Sequence, residues 1–189
     1  MTTSQVETWY SIKYGPLYQL SEQQLVDCDR EWNMGCNGGW PTDAFIYYSE
    51  TGVISANDYP YLDGEYTCRD SQYDKIFYLG SPSSYKDVSP DLNSFKAALR
   101  LGPVSVAFGA SDTFMYYSNG IYNGDCTPEV NHGMTGIGYG IENGVQYVIV
   151  RNSWGTGWGE NGYVRIILDN ASSGGKCQVY SWPSYPIIA

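Results

Sequence analysis

Asn143-Gly144 stands between two apolar runs, NHGMTGIGYG before it and VQYVIVRNSW after it. Both residues tolerate positive φ, so the pair is a strong signal for a two-residue hairpin turn, and it commits the second half of the chain to antiparallel strands. PVSVAFGA and GYVRIIL supply further β-branched, apolar runs on either side. The first half follows a different period. QVETWYSIKYG places Val6, Trp9, Tyr10 and Ile12 near one helical face and stops at Gly15-Pro16. LSEQQLVDC starts a helix with Ser21 as N-cap and Gln24 three residues on, and its expected buried residues are Leu25 and Val26. WPTDAFIYYSETG opens on Pro41 and closes at Gly52, and PDLNSFKAALRLG closes at Gly102. Helices followed by antiparallel strands predict an α+β protein with two lobes. Residues 1–85 are expected to form the mainly helical lobe and 86–189 a mainly antiparallel lobe, a β-sheet or barrel, with the C-terminal tail free to cross back. The boundary falls in GSPSSYKDVSP, a Ser/Pro/Gly-rich stretch.

Composition excludes several functions. With 42% hydrophobic and only 16% charged residues, the 189-residue chain is globular. No apolar stretch approaches the ~20 residues that span a bilayer, so no membrane partner is expected. MTTSQVETWY lacks the basic start and apolar middle of a secretory signal. The formal net charge of −10 argues against nucleic acid. It suits an acidic compartment, where partly protonated carboxylates repel one another less. Cys28, Cys36, Cys68, Cys126 and Cys177 contain no CxxC pair, and there is a single histidine, so no metal site is expected. Dispersed cysteines instead suggest disulfides and an oxidising compartment, and the odd count leaves one without an internal partner. The Asn170 sequon NAS fits the same compartment.

Chemistry concentrates at three places. His132 can move a proton near neutral pH, although a lone histidine is more often a satisfied structural ring. Downstream, RNSWGTGWGENGY offers Asn152, whose amide could accept the imidazole N–H and fix its tautomer, and Trp154, which could shield that bond from water. The bland reading makes Asn152 a turn residue and the tryptophans core. GCNGGW at residues 35–40 carries successive glycines that let an extended peptide approach the backbone, or that simply make a turn.

Taken together, LSEQQLVDCD, GCNGGWP, YPY…C, VNHG…GIGYG and NSWGTGWGENGYVRI resemble, in order and spacing, the motifs of the papain-like cysteine peptidases. The resemblance runs from about Gln5 to the C-terminus. It implies a two-lobe fold, a helical lobe and an antiparallel β-barrel lobe, and a cysteine endopeptidase that hydrolyses peptide bonds through a Cys-His-Asn arrangement, without a cofactor. His132 would be the general base and acid, and Asn152 its orienter. Trp154 would cover the pair and Trp158 flank the leaving-group side. Gly38 and Gly39 would bond substrate backbone, and Trp40, Pro41, Ala107, Val130, Gly133 and Trp182 would line a shallow specificity pocket, with Asn131 beside them in the substrate-binding set. The implied disulfides are Cys28–Cys68 and Cys126–Cys177, leaving Cys36 unpaired. Implied partners are peptide or protein substrates and protease inhibitors or a propeptide. A monomer in a lysosomal, vacuolar or extracellular setting is expected.

One part of the pattern is not met. In this family the nucleophile lies in a segment like QGxCGSCWAFS just before a stretch like TTSQVE, and Met1 stands where that segment's last residue would fall. A chain lacking its nucleophile is therefore expected, inactive alone, with a separate N-terminal fragment as one possible source of the thiol. The orphan Cys36 points the same way, because its usual partner belongs to the missing segment. The alternatives are a non-catalytic protein that binds peptides or inhibitors in a retained cleft, and Cys36 as a substitute nucleophile.

Overall fold

The computed structural model describes every residue except Pro82 and Ala171. The chain divides into two compact units, one of Thr2–Lys86 with Pro186–Ala189, the other of Met1 with Asp87–Tyr185.

The first unit holds three helices, α1 (Thr2–Tyr14), α2 (Glu22–Cys28) and α3 (Pro41–Thr51). Helix α1 buries Val6, but Ile12 is exposed. Six residues of helix carry a side chain about 120° around from the buried stripe, so Ile12 cannot share the face of Val6. Helix α2 is capped as its sequence implies, with Ser21 Oγ accepting from Gln24 N at 2.9 Å. Its buried face is nevertheless polar: Gln23, Gln24 and Asp27 are buried, whereas Leu25 and Val26 are half-buried. The reason is that loops wrap this helix and their backbone groups need partners. Gln24 accepts from Ile54 N at 2.9 Å and donates to Gly52 O at 2.8 Å. Gln23 accepts from Leu62 N and donates to Gly64 O. Asp27 accepts from Tyr66 N and from the Tyr59 hydroxyl. Helix α3 starts at Pro41, which has no N–H to lose, and Gly52 at φ 76° ends it. Val6, Leu20, Phe45, Tyr48, Val53, Leu79 and Ile188 make the core. The C-terminal residues belong to it: Leu79 bridges to Ile188, and Lys13 Nζ donates to Ile188 O.

The second unit is built on a five-stranded sheet. Strand β1 (Tyr85–Asp87) pairs separately with β7 (Ser184–Pro186). Helix α4 (Leu92–Leu99), capped by the Asp91 carboxylate, precedes β2 (Val104–Phe108), and a short α5 (Asp112–Met115) precedes β3 (Ile121–Tyr122). Strands β4 (His132–Glu142), β5 (Val145–Arg151) and β6 (Tyr163–Ile167) complete the order β2-β4-β5-β6-β3. Asn143 and Gly144 turn between β4 and β5 at φ 50° and 82°. Two features depart from expectation. The order is linear, so among the described residues the expected barrel is an open sheet. Strand β3 also joins it in parallel, the other pairings being antiparallel. A bulge between Gly136 and Gly138 leaves Ile137 exposed. Inward residues Val104, Val106, Phe108, Val148, Val150, Val164 and Ile166 pack with Phe95 and Phe114 into the core.

Each unit holds one disulfide, Cys28–Cys68 in the first and Cys126–Cys177 in the second, and Cys36 is free and exposed. The Asn170 sequon includes Ala171 and so lies partly outside the described residues. No helix among the described residues is long and apolar enough to cross a membrane.

Candidate active site

His132 opens β4 opposite Phe108 of β2, and its position is fixed from the preceding residue. Asn131 N donates to Phe108 O, while the Asn131 side chain accepts from Ala110 N at 2.8 Å and donates to Ala110 O at 3.0 Å. That two-point clamp occupies the Asn131 amide, so the side chain serves the strand entry. Ala107 and Gly133 face each other one register step inward. The Met1 side chain lies against Gly133, where a Cβ would come within 2.6 Å of Met1 Cε.

Asn152 follows β5 directly, and its backbone N–H donates to Gly162 O. Its side-chain oxygen lies 2.8 Å from His132 Nε2. The same oxygen accepts the Ser153 backbone N–H at 2.8 Å. A backbone N–H can only donate, so the atom facing both groups is the oxygen and not the amide nitrogen. His132 must then carry its proton on Nε2, which leaves Nδ1 as the basic nitrogen. Burial holds the imidazole below its ordinary pKa, and the Asn152 bond opposes this. Asn152 Nδ2 is buried and makes no hydrogen bond among the described residues.

Trp154 stacks on His132 with ring centroids 4.7 Å apart and 28° between planes. Trp158 meets Trp154 edge-on at 5.1 Å and donates Nε1–H to Met115 O. Phe114 backs both indoles. Glu160 holds the glycine-rich turn beyond them, accepting from Gly120 N and pairing with Arg165. Val130 is half-buried and Trp182 exposed in this same unit.

Gly38, Gly39, Trp40 and Pro41 belong to the first unit. The chain turns through a short 3-10 segment, Gly35–Asn37, to Gly38 at φ 103°. Gly38 N donates to Gly35 O and Gly38 O accepts from Met34 N, so both its backbone groups are engaged inside the turn. Gly39 differs: no hydrogen bond among the described residues uses its N–H or its carbonyl. Trp40 and Pro41 start α3, with the Trp40 side chain exposed. Sequence reasoning missed the Asn131–Ala110 clamp, the Ser153 amide and the anchoring of Trp158 on Met115. The first and last join residues far apart along the chain, and no local pattern announces them.

The family described as papain family cysteine protease matches residues 1–187. Cysteine proteinase RD21A of Arabidopsis thaliana is 44% identical over 98% of this chain and 40% of its own length. Cysteine proteinase COT44 of Brassica napus is 42% identical over 98% of this chain and 57% of its own. The chain thus spans about half the length of these curated relatives. Among solved structures, the bromelain protease of Ananas comosus in complex with the E64 inhibitor superposes with a TM-score of 0.91 at 39% identity, covering 100% of this chain and 86% of that one.

Proposed function

Since the chain belongs to the papain family of cysteine proteases, we propose that it hydrolyses peptide bonds as a cysteine endopeptidase, with His132 as general base and acid and Asn152 as its orienter. The observation that carries this reading is the His132 Nε2–Asn152 Oδ1 bond under the stacked Trp154 ring. That arrangement leaves Nδ1 to take a thiol proton and later to return it to the leaving amine. Imidazolium formed beside a thiol stabilises the thiolate, the stronger nucleophile. Trp154 keeps water from the His–Asn bond, and Gly39 offers an extended peptide one donor and one acceptor. Substrates are peptides or proteins, and protease inhibitors are expected to compete with them. Two disulfides and the acidic composition support a vacuolar, lysosomal or extracellular setting.

The chemistry needs a thiol. Four of the five cysteines are bonded to one another, and the fifth, Cys36, lies in the turn before Gly38. The reading therefore takes its nucleophile from outside these 189 residues, which on their own are expected to be inert. For the 189 residues alone, the open Gly39 backbone favours a second reading, binding of peptides or inhibitors without turnover.

Peptide hydrolysis by the 189 residues, compared with the same residues preceded by a segment carrying Gln and Cys in the family's spacing, tests both. Turnover only by the longer chain, lost on His132→Ala, is the expected result. Hydrolysis by the 189 residues that iodoacetamide abolishes at Cys36 would overturn the assignment. Tight inhibitor binding without turnover in both chains would favour the second reading.

A further inference from the structure

The turn that presents Gly39 has a polar support within the same unit. Asp29 caps the C-terminal end of α2, is 1% exposed, and accepts the Asn33 Nδ2–H on one carboxylate oxygen. Its other oxygen is buried and has no partner among the described residues. Asn33 in turn accepts the Trp40 backbone N–H at 2.7 Å. It also packs so closely under Gly39 that a Cβ there would fall 1.8 Å from Asn33 Oδ1. Glycine at 39 is therefore what lets Asn33 sit in this position. Trp40 has no side-chain cap of its own on α3, so the Asn33 carbonyl is the side-chain group that holds its amide.

A carboxylate that accepts from Nδ2 settles which end of the Asn33 amide points at Trp40, because Nδ2 has no lone pair to offer that N–H. With the wrong end presented, two donors would face each other and the backbone would rotate. Gly39 precedes Trp40, so the peptide plane joining them is the one that carries the Gly39 carbonyl. Locking the Trp40 N–H locks that carbonyl's direction.

We propose that Asp29 and Asn33 are positioning residues for substrate: Asp29 orients the Asn33 amide, Asn33 clamps the Trp40 backbone, and the clamp aims the Gly39 carbonyl at the backbone N–H of an extended peptide. This rests on the peptidase reading and assigns two residues of the helical unit that never touch the reacting atoms. Burial raises the Asp29 carboxyl above its ordinary pKa, the Asn33 hydrogen bond opposes this, and nearby Asp43 adds to the raising.

The test uses the full natural chain and a series of labelled peptides with single backbone N-methylations, read by both hydrolysis and fluorescence anisotropy. Asn33→Ala is expected to raise KM and Kd about five- to tenfold, the worth of one hydrogen bond, with kcat little changed. It should also shrink the penalty of methylating the one peptide position that docks on Gly39. Asn33→Asp keeps an acceptor for Trp40 but sets two carboxylates together, so its loss of affinity should appear as pH rises and the pair can no longer share a proton. The exchange Asp29→Asn with Asn33→Asp should restore affinity, because the reversed amide–carboxylate pair again offers Trp40 an acceptor. Loss of kcat at unchanged KM would mark a purely structural role and overturn the proposal, as would failure of the exchange to rescue. No methylation-sensitive position in the wild type, or no binding at all, would overturn it too. Binding without hydrolysis in the wild type would sink the peptidase reading while the Asn33 effect on Kd still stood.

Discussion

Ser153 donates its backbone N–H to the oxygen that also faces His132, and through that shared atom a turn residue decides where the histidine keeps its proton. Removing the oxygen has a signed consequence. Burial lowers the His132 pKa and the Asn152 bond opposes it, so Asn152→Ala should push the pKa lower still. His132 is the one histidine of the sequence, and its ring proton resonances give the titration without assignment. A rise in pKa on Asn152→Ala would contradict the geometry. The same lowering sets a pH dependence of stability. As pH falls below about 6.5, the unfolded chain takes up the proton before the folded one, so the His132 contribution to stability declines until the lowered native pKa is passed and is constant below it. Denaturant midpoints measured across this range, against His132→Gln, isolate that contribution. His132 and Asn152 were both legible in the sequence because NHG and NSWGTGWG are long, ordered motifs. The tautomer was not, since it depends on where one backbone N–H points after folding.

Helix α2 shows where sequence reading stops at the level of an element. Its start was legible from Ser21 and Gln24, because capping is local chemistry between residues three apart. Its buried face was not: apolar Leu25 and Val26 look like the core side, yet Gln23, Gln24 and Asp27 are the buried ones. Which residues face inward depends on the loops at 52–54 and 59–66, whose backbone groups the three polar side chains satisfy. The energetic ranking should follow. Gln24→Ala strands a buried carbonyl at Gly52 and a buried N–H at Ile54, and is expected to cost about 2–4 kcal/mol. Leu25→Ala removes a half-buried side chain and is expected to cost about 1 kcal/mol, less than full burial implies. Urea unfolding of the two variants checks the order, and equal costs would mean that the helix is held by its apolar residues after all. The β4–β5 hairpin is the opposite case. Asn143-Gly144 fixed the turn in advance, but the bulge at Ile137 and the parallel β3 arise from long-range pairing that no local period records.

At the scale of the molecule, each unit has its own core and its own disulfide, and the two cross-links are placed differently with respect to chemistry. Cys28–Cys68 ties the end of α2 to the loop after Tyr66, closing a separation of 40 residues. Cys126–Cys177 closes one of 51 residues, and His132, Asn131 and Asn152 all fall inside that loop. Anchoring is direct at its ends: Ala110 bridges to Cys126, and Gly109 N donates to Cys177 O. Ala110 is also the residue gripped by the Asn131 side chain. On chain-entropy grounds both bonds limit the unfolded chain to a similar degree, about 4 kcal/mol each. Their effects on His132 should nevertheless diverge. Replacing Cys126 and Cys177 by Ala frees the segment that carries Ala110, so the Asn131 clamp slackens and the His132 ring resonances should broaden and move toward solvent-like shifts. Replacing Cys28 and Cys68 by Ala should lower the unfolding midpoint comparably while leaving those resonances sharp. If both pairs disturbed His132 alike, the geometry of the His132–Asn152 pair would depend on the stability of the whole chain, and the local clamp would lose its role.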